Sequence, residues 1–153
     1  MVLENKGKLM THKRDYGRQK KQPFDFKKYR QVKLAFKFSY MGANYAGLVV
    51  QANEPNTVEA KILEALKKTC LIDPDEPSSF SCMLNRCGRT DKGVSALANV
   101  LSINLRHLPN SEYVVRINRC LPDDIRMLAY SEVDETFDAR FSCVYREYNY
   151  FFF

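Results

Sequence analysis

The chain has 153 residues, 45% hydrophobic and 27% charged, enough to bury the core of about one domain and too apolar for a wholly disordered segment. Its formal net charge of +6 is concentrated at one end: residues 1–30 hold ten Lys/Arg against Glu4, Asp15 and Asp25, while the rest carries fourteen basic and fifteen acidic side chains. No apolar run approaches the ~20 residues of a membrane span, and five irregularly spaced cysteines with only His12 and His107 lack the spacing of a zinc site, so membrane insertion and metal binding are not expected.

Residues 1–30 lack apolar periodicity and read as a flexible basic arm, suited to phosphate binding or nuclear import, with a merely solvated tail as the alternative. The arm has no apolar stretch of the secretory kind, so a soluble intracellular protein with reduced thiols is expected. Alternation begins near Gln31. Val32, Leu34, Phe36, Phe38 and Tyr40 fall on one face and predict a half-buried strand. Met41–Gly47 reads as a glycine-punctuated loop. Asn56 with Glu59 resembles a capping box opening a helix. That helix turns Val58, Ile62, Leu63 and Leu66 to a core and pairs Glu64 with Lys68 outside. Asp73–Pro77 ends it.

Phe80–Asn85 reads as a short strand, followed by turn chemistry over Arg86–Gly93. Val100–Leu105 alternates again, Glu112–Arg119 suggests a second helix stopped near Pro122, and Ile125–Val133 and Tyr145–Phe153 read as further strands. The adjacent carboxylates Asp123 and Asp124 point apart on an extended chain and read as turn or surface residues. The fold class expected is α+β, a mixed and mainly antiparallel sheet with helices packed on one face. The last strand is aromatic on both faces, which requires cover on both. We therefore expect further chain, or a partner, after Phe153.

One segment carries chemistry. In Gly88-Arg89-Thr90-Asp91-Lys92-Gly93-Val94 two glycines bracket a guanidinium and a carboxylate two residues apart. A carboxylate held beside Arg89 and near backbone N–H groups stays ionised, as a nucleophile or a general base must be. On these residues alone, an ordinary polar turn remains the alternative.

Arg86–Ala96 resembles the catalytic signature of the TruA-type tRNA pseudouridine synthases. The likeness continues, in family order, through Tyr40–Gly47 with Gln51, Asn56–Glu59, Ile117–Arg126, Phe137–Cys143 and Arg146–Tyr150. Lys92, Ser95 (where many bacterial members have histidine) and Arg140–Cys143 resemble the eukaryotic branch acting on the lower anticodon stem-loop, at positions 38/39. The resemblance implies isomerisation of uridine to pseudouridine in tRNA without a cofactor, in the nucleus or cytoplasm. It makes Asp91 the catalytic residue, attacking C1′ or taking the 2′ proton. Arg89 would fill the space left by the flipped base and pair with phosphate or with Asp91. Tyr148 would stack on the uracil, with Lys92 also on the RNA and Arg140 either structural or contacting phosphate. Residues 31–153 would be the N-terminal domain, truncated before the second domain that closes the cleft and supplies a basic partner for the aspartate. The alternative expectation is a catalytically silent tRNA-binding module, and a homodimer is compatible with either.

Overall fold

The computed structural model describes residues 24–75 and 78–151. Most of the expected basic arm, Glu76-Pro77 of the turn after the first helix, and the final Phe152-Phe153 lie outside the described residues. Four strands form one sheet: β1 (Gln31–Tyr40), β2 (Asn85–Arg86), β3 (Ala96–Arg106) and β4 (Ile125–Glu132), in the order β2-β3-β1-β4. Every pairing among them is antiparallel, so the described sheet has no parallel component. Two helices, α1 (Val58–Lys68) and α2 (Tyr113–Asn118), complete the α+β domain.

Alternation in β1 sorts its two faces. Val32, Leu34, Phe36, Phe38 and Tyr40 are all buried, together with Leu101, Ile103 and Leu105 of β3. Both helices pack on this face. Phe36 meets Tyr113 of α2 edge-on with ring centroids 6.4 Å apart, and Phe38, Ile62 of α1 and Leu101 line one small internal cavity.

The opposite face is covered differently. After β4 the chain turns back across it, from the β4 edge toward β2. Lys33 of β1 donates from Nζ to the Glu135 carbonyl at 2.7 Å. The Ala139 N–H then donates to Ser102 Oγ of β3 at 3.1 Å, with both residues buried. Finally Arg146 Nε donates to the Cys87 carbonyl, just beyond β2, at 2.6 Å. This path brings residues 140–148 to the segment that follows β2.

Three expectations need correction. The cap of α1 is Thr57, not Asn56: Thr57 accepts from the Ala60 N–H, while Asn56 Nδ2 donates to the Asn44 carbonyl. Glu59 is buried and turned inward, so it closes no capping box. Phe80–Asn85 is not a strand. Residues 78–84 form a tight turn, with Leu84 N–H on the Ser79 carbonyl and Met83 at φ 51°, and only Asn85–Arg86 joins the sheet. Likewise no strand forms over 145–151, because that run finds no ladder partner; Tyr145, Tyr148, Tyr150 and Phe151 are exposed. Strand propensity expresses fit to a pleated, half-buried surface and lapses without one.

Candidate active site

The loop from Cys87 to Ser95 joins β2 to β3 and carries Arg89, Asp91 and Lys92. Its backbone rests on the segment Met41–Leu48 between β1 and α1. The Leu48 N–H donates to the Thr90 carbonyl at 3.1 Å, and the Gly93 N–H donates to the Tyr45 carbonyl at 3.2 Å. Tyr40 Oη and Thr90 Oγ1 are hydrogen-bonded at 2.7 Å, and the Gly42 N–H donates to Ser95 Oγ at 2.8 Å. Burial pushes the Tyr40 phenol up, so it stays protonated in this contact.

Two glycines permit the close approach. A β-carbon on Gly42 would lie 2.0 Å from the Val94 carbonyl oxygen, and one on Gly47 would lie 2.9 Å from that of Thr90. Gly47 also sits at φ +122°, a region that side chains rarely allow. The glycine punctuation read from the sequence is therefore a bearing surface for the aspartate loop.

Asp91 lies at the exposed crest of this loop. Among the described residues no ion pair or hydrogen bond engages its carboxylate, and Arg89 does not pair with it as the sequence reading allowed. Fixation comes from the backbone on either side, at Thr90 and Gly93. Lys92 is exposed beside it.

Arg89, Arg140 and Tyr148, separated widely in sequence, line one open groove of about 420 Å³ with Arg86, Arg146 and Gly88. Asp91 and Lys92 do not line it; they follow Arg89 on the same loop. Among the described residues no carboxylate lines this groove. Arg86 is engaged elsewhere, with Glu59, which leaves Arg89, Arg140 and Arg146 to give it positive potential. The Arg140 guanidinium lies over the Phe141 ring at 5.1 Å, and Tyr148 is 63% exposed, a free ring and not a core tyrosine. Such a groove suits a polyanion with planar groups to stack.

The sequence reading missed Arg146, Glu59 and Asp124 as contributors. Arg146 stood within a quoted motif but is placed in the groove only by the chain crossing the sheet. Asp123 and Asp124 do point apart: Asp123 pairs with Arg126 at 2.7 Å, whereas Asp124 accepts from buried Tyr45 Oη at 2.5 Å. Asp124 is thus a tertiary contact and not simply a turn or surface residue. The five cysteines are free, and no cluster of His, Cys, Asp and Glu among the described residues could hold a metal ion. No described helix is long and apolar enough to cross a membrane.

The fold and site define an α+β domain that presents a glycine-seated carboxylate loop next to an arginine-lined groove. Over 156 residues the chain is 41% identical to the tRNA pseudouridine(38/39) synthase of Bos taurus, covering 89% of this chain and 32% of that protein. It is 42% identical over 151 residues to the protein of the same name in Saccharomyces cerevisiae, covering 87% and 34%. With the tRNA pseudouridine synthase A of Methanothermobacter thermautotrophicus it shares 39% identity over 118 residues, covering 77% and 40%. No protein-family model matches the chain. The chain belongs to the tRNA pseudouridine synthase family. It spans about a third of the length of the eukaryotic curated relatives it matches.

Proposed function

We propose that this chain carries the catalytic face of a tRNA pseudouridine synthase, acting on uridine in the lower anticodon stem-loop at positions 38/39. The observation that supports it best is the convergence of Arg89, Arg140 and Tyr148 on one groove beside the loop that carries Asp91. The reaction is an isomerisation. The C1′–N1 bond breaks, the uracil turns, a C1′–C5 bond forms, and the proton displaced from C5 is balanced by one gained at N1. No cofactor enters this balance. Asp91 acts as nucleophile at C1′ or as base at the 2′ position.

The target base leaves the stack at a cost of a few kcal/mol. Arg89 fills the space, Tyr148 stacks on the extruded ring, and Arg140 and Lys92 engage phosphates. The basic arm of residues 1–30 adds sequence-independent attraction for the same RNA. The domain division at residue 31, a location in nucleus or cytoplasm and a homodimer belong to this proposal. The relatives named for positions 38/39 support the choice of target.

A second reading, tRNA binding without conversion, is favoured by one observation: no described side chain engages the Asp91 carboxylate. Mapping pseudouridine in tRNA treated with the chain and with its Asp91→Asn variant separates the two. Conversion by the wild type, lost in the nearly isosteric variant with tRNA binding retained, supports catalysis at Asp91. Binding without conversion by either favours the second reading, and conversion by the Asn variant would sink the assignment of Asp91.

A further inference from the structure

On either side of Asp91 the loop makes backbone contacts at Thr90 and Gly93, to Leu48 and Tyr45. Both belong to the 41–48 segment, so the position of the aspartate depends on what holds that segment. Among its anchors, Asp124 touches it twice. Its carbonyl accepts from the Met41 N–H at 2.9 Å, and its carboxylate accepts from Tyr45 Oη at 2.5 Å. Asp124 immediately precedes β4, whose first residue pairs with Tyr40 at the end of β1. It is therefore fixed to the sheet.

We propose that Asp124 and Tyr45 are positioning residues for Asp91, forming a chain of contacts from the sheet through the Tyr45 ring to the Gly93 N–H. The catalytic part of this inference rests on the proposed synthase activity; the positioning part does not. Tyr45 suits the task because the residue is 5% exposed and its two ends meet different neighbours. Its hydroxyl meets Asp124 while its own carbonyl receives Gly93. Burial, and then the carboxylate beside it, push the phenol well above its ordinary range, so the hydroxyl stays a donor. Gly47, two residues on, lies against the backbone at Thr90 and Asp91. A shift of the 41–48 segment would be transmitted through these contacts to both flanks of Asp91. Misplacement by about 1 Å is enough to cost about a hundredfold in rate.

The test is residue-resolved hydrogen exchange on the full chain, with single-turnover pseudouridine formation measured in parallel. Tyr45→Phe removes only the hydroxyl; Asp124→Ala removes the acceptor; Asp124→Asn keeps an acceptor oxygen. In the first two, exchange at the Leu48 and Gly93 amides should rise about tenfold, the effect of losing one hydrogen bond, while amides of the β1–β3 ladder stay protected. Asp124→Asn should restore protection. Conversion should fall about tenfold or more in Tyr45→Phe with tRNA affinity unchanged, and recover in Asp124→Asn. Unchanged exchange at Leu48 and Gly93, or a uniform rise that includes the ladder, overturns the positioning role. Absence of conversion by the wild-type chain bears on the synthase proposal alone, and the exchange pattern still decides this inference.

Discussion

Arg86 and the buried Glu59 form an ion pair, Nη2 to Oε1 at 2.5 Å, joining the first turn of α1 to the residue that enters the aspartate loop. The second carboxylate oxygen of Glu59 accepts from the Val50 N–H at 2.9 Å, so both oxygens are used. Glu59 is 2% exposed. A charge this deep is tolerable only while its partner remains, since removing one member of a buried pair strands the other.

Glu59→Ala should therefore destabilise the chain by about 3–5 kcal/mol. Glu59→Gln, which keeps the shape and one acceptor oxygen but turns an amide donor toward either Arg86 or the Val50 N–H, should cost less than Glu59→Ala without being neutral. Adding Arg86→Met to Glu59→Ala should return part of the stability, because no charge is then left unpaired. Denaturant unfolding of the four proteins checks this. A double variant no better than Glu59→Ala would show that packing, and not charge, sets the cost.

The glycines of the bearing surface make a contrasting series. Gly42→Ala would place a methyl 2.0 Å from the Val94 carbonyl oxygen, so the loop must move, and overpacking of this kind costs about 1–3 kcal/mol. Gly47→Ala adds a 2.9 Å approach to a φ of +122°, with strain of about 1–3 kcal/mol. Gly93→Ala has a positive φ but nothing within 4 Å of the new methyl, and should be the mildest at about 1–2 kcal/mol. The order of their unfolding midpoints is the measurement. Gly93→Ala matching Gly42→Ala would contradict the account of close approach.

These contacts explain what could be read from the sequence and what could not. The period-2 pattern of Val32–Tyr40 and the apolar stripe Val58, Ile62, Leu66 are local signals, and local signals predicted β1 and α1. Glu59 looked like a capping-box residue because the sequence cannot reveal an arginine partner twenty-seven positions on. Asp124 looked like surface for the same reason, its partner lying in the 41–48 segment. The aromatic alternation near the end predicted a strand because propensity carries no information about a ladder partner. The groove residues were named from motifs. Their convergence depends on residues 133–146 crossing the second face of the sheet, a path set by Lys33 and Ser102.

Cys82 gives a pH dependence with a definite sign. Burial pushes its thiol up to about 11. The native state therefore holds the proton more tightly than the unfolded chain, whose thiol titrates near 8.5. The contribution is fully present below that value and disappears as pH rises through about 11. Stability should fall across this window in the wild type and less steeply in Cys82→Ala, after allowing for that variant's lower baseline. Alkylation at pH 8 should spare Cys82 while modifying Cys143, which is partly exposed. Equal labelling rates would refute the burial argument.

The arginine groove predicts a change in salt dependence. Each bound phosphate releases condensed counterions, so the negative slope of log affinity against log salt loses about 0.7–0.9 in magnitude for every phosphate the protein no longer neutralises. Arg89→Gln and Arg140→Gln should each make the slope for a tRNA anticodon stem-loop shallower by about that amount, and the double variant by about twice it. Lys68→Gln is the control. Its charge sits outside on α1, paired with Glu64, and does not line the groove, so the slope should stay the same. Arg146 is a less direct probe because its Nε also ties the chain to the Cys87 carbonyl. Deleting residues 1–23 removes seven Lys/Arg against Glu4 and Asp15, and should flatten the slope independently of the groove variants. Additive changes would place arm and groove on separate phosphates. A slope that responds to the arm alone would mean that Arg89 and Arg140 do not meet the RNA backbone, and the groove would have no part in the proposed function.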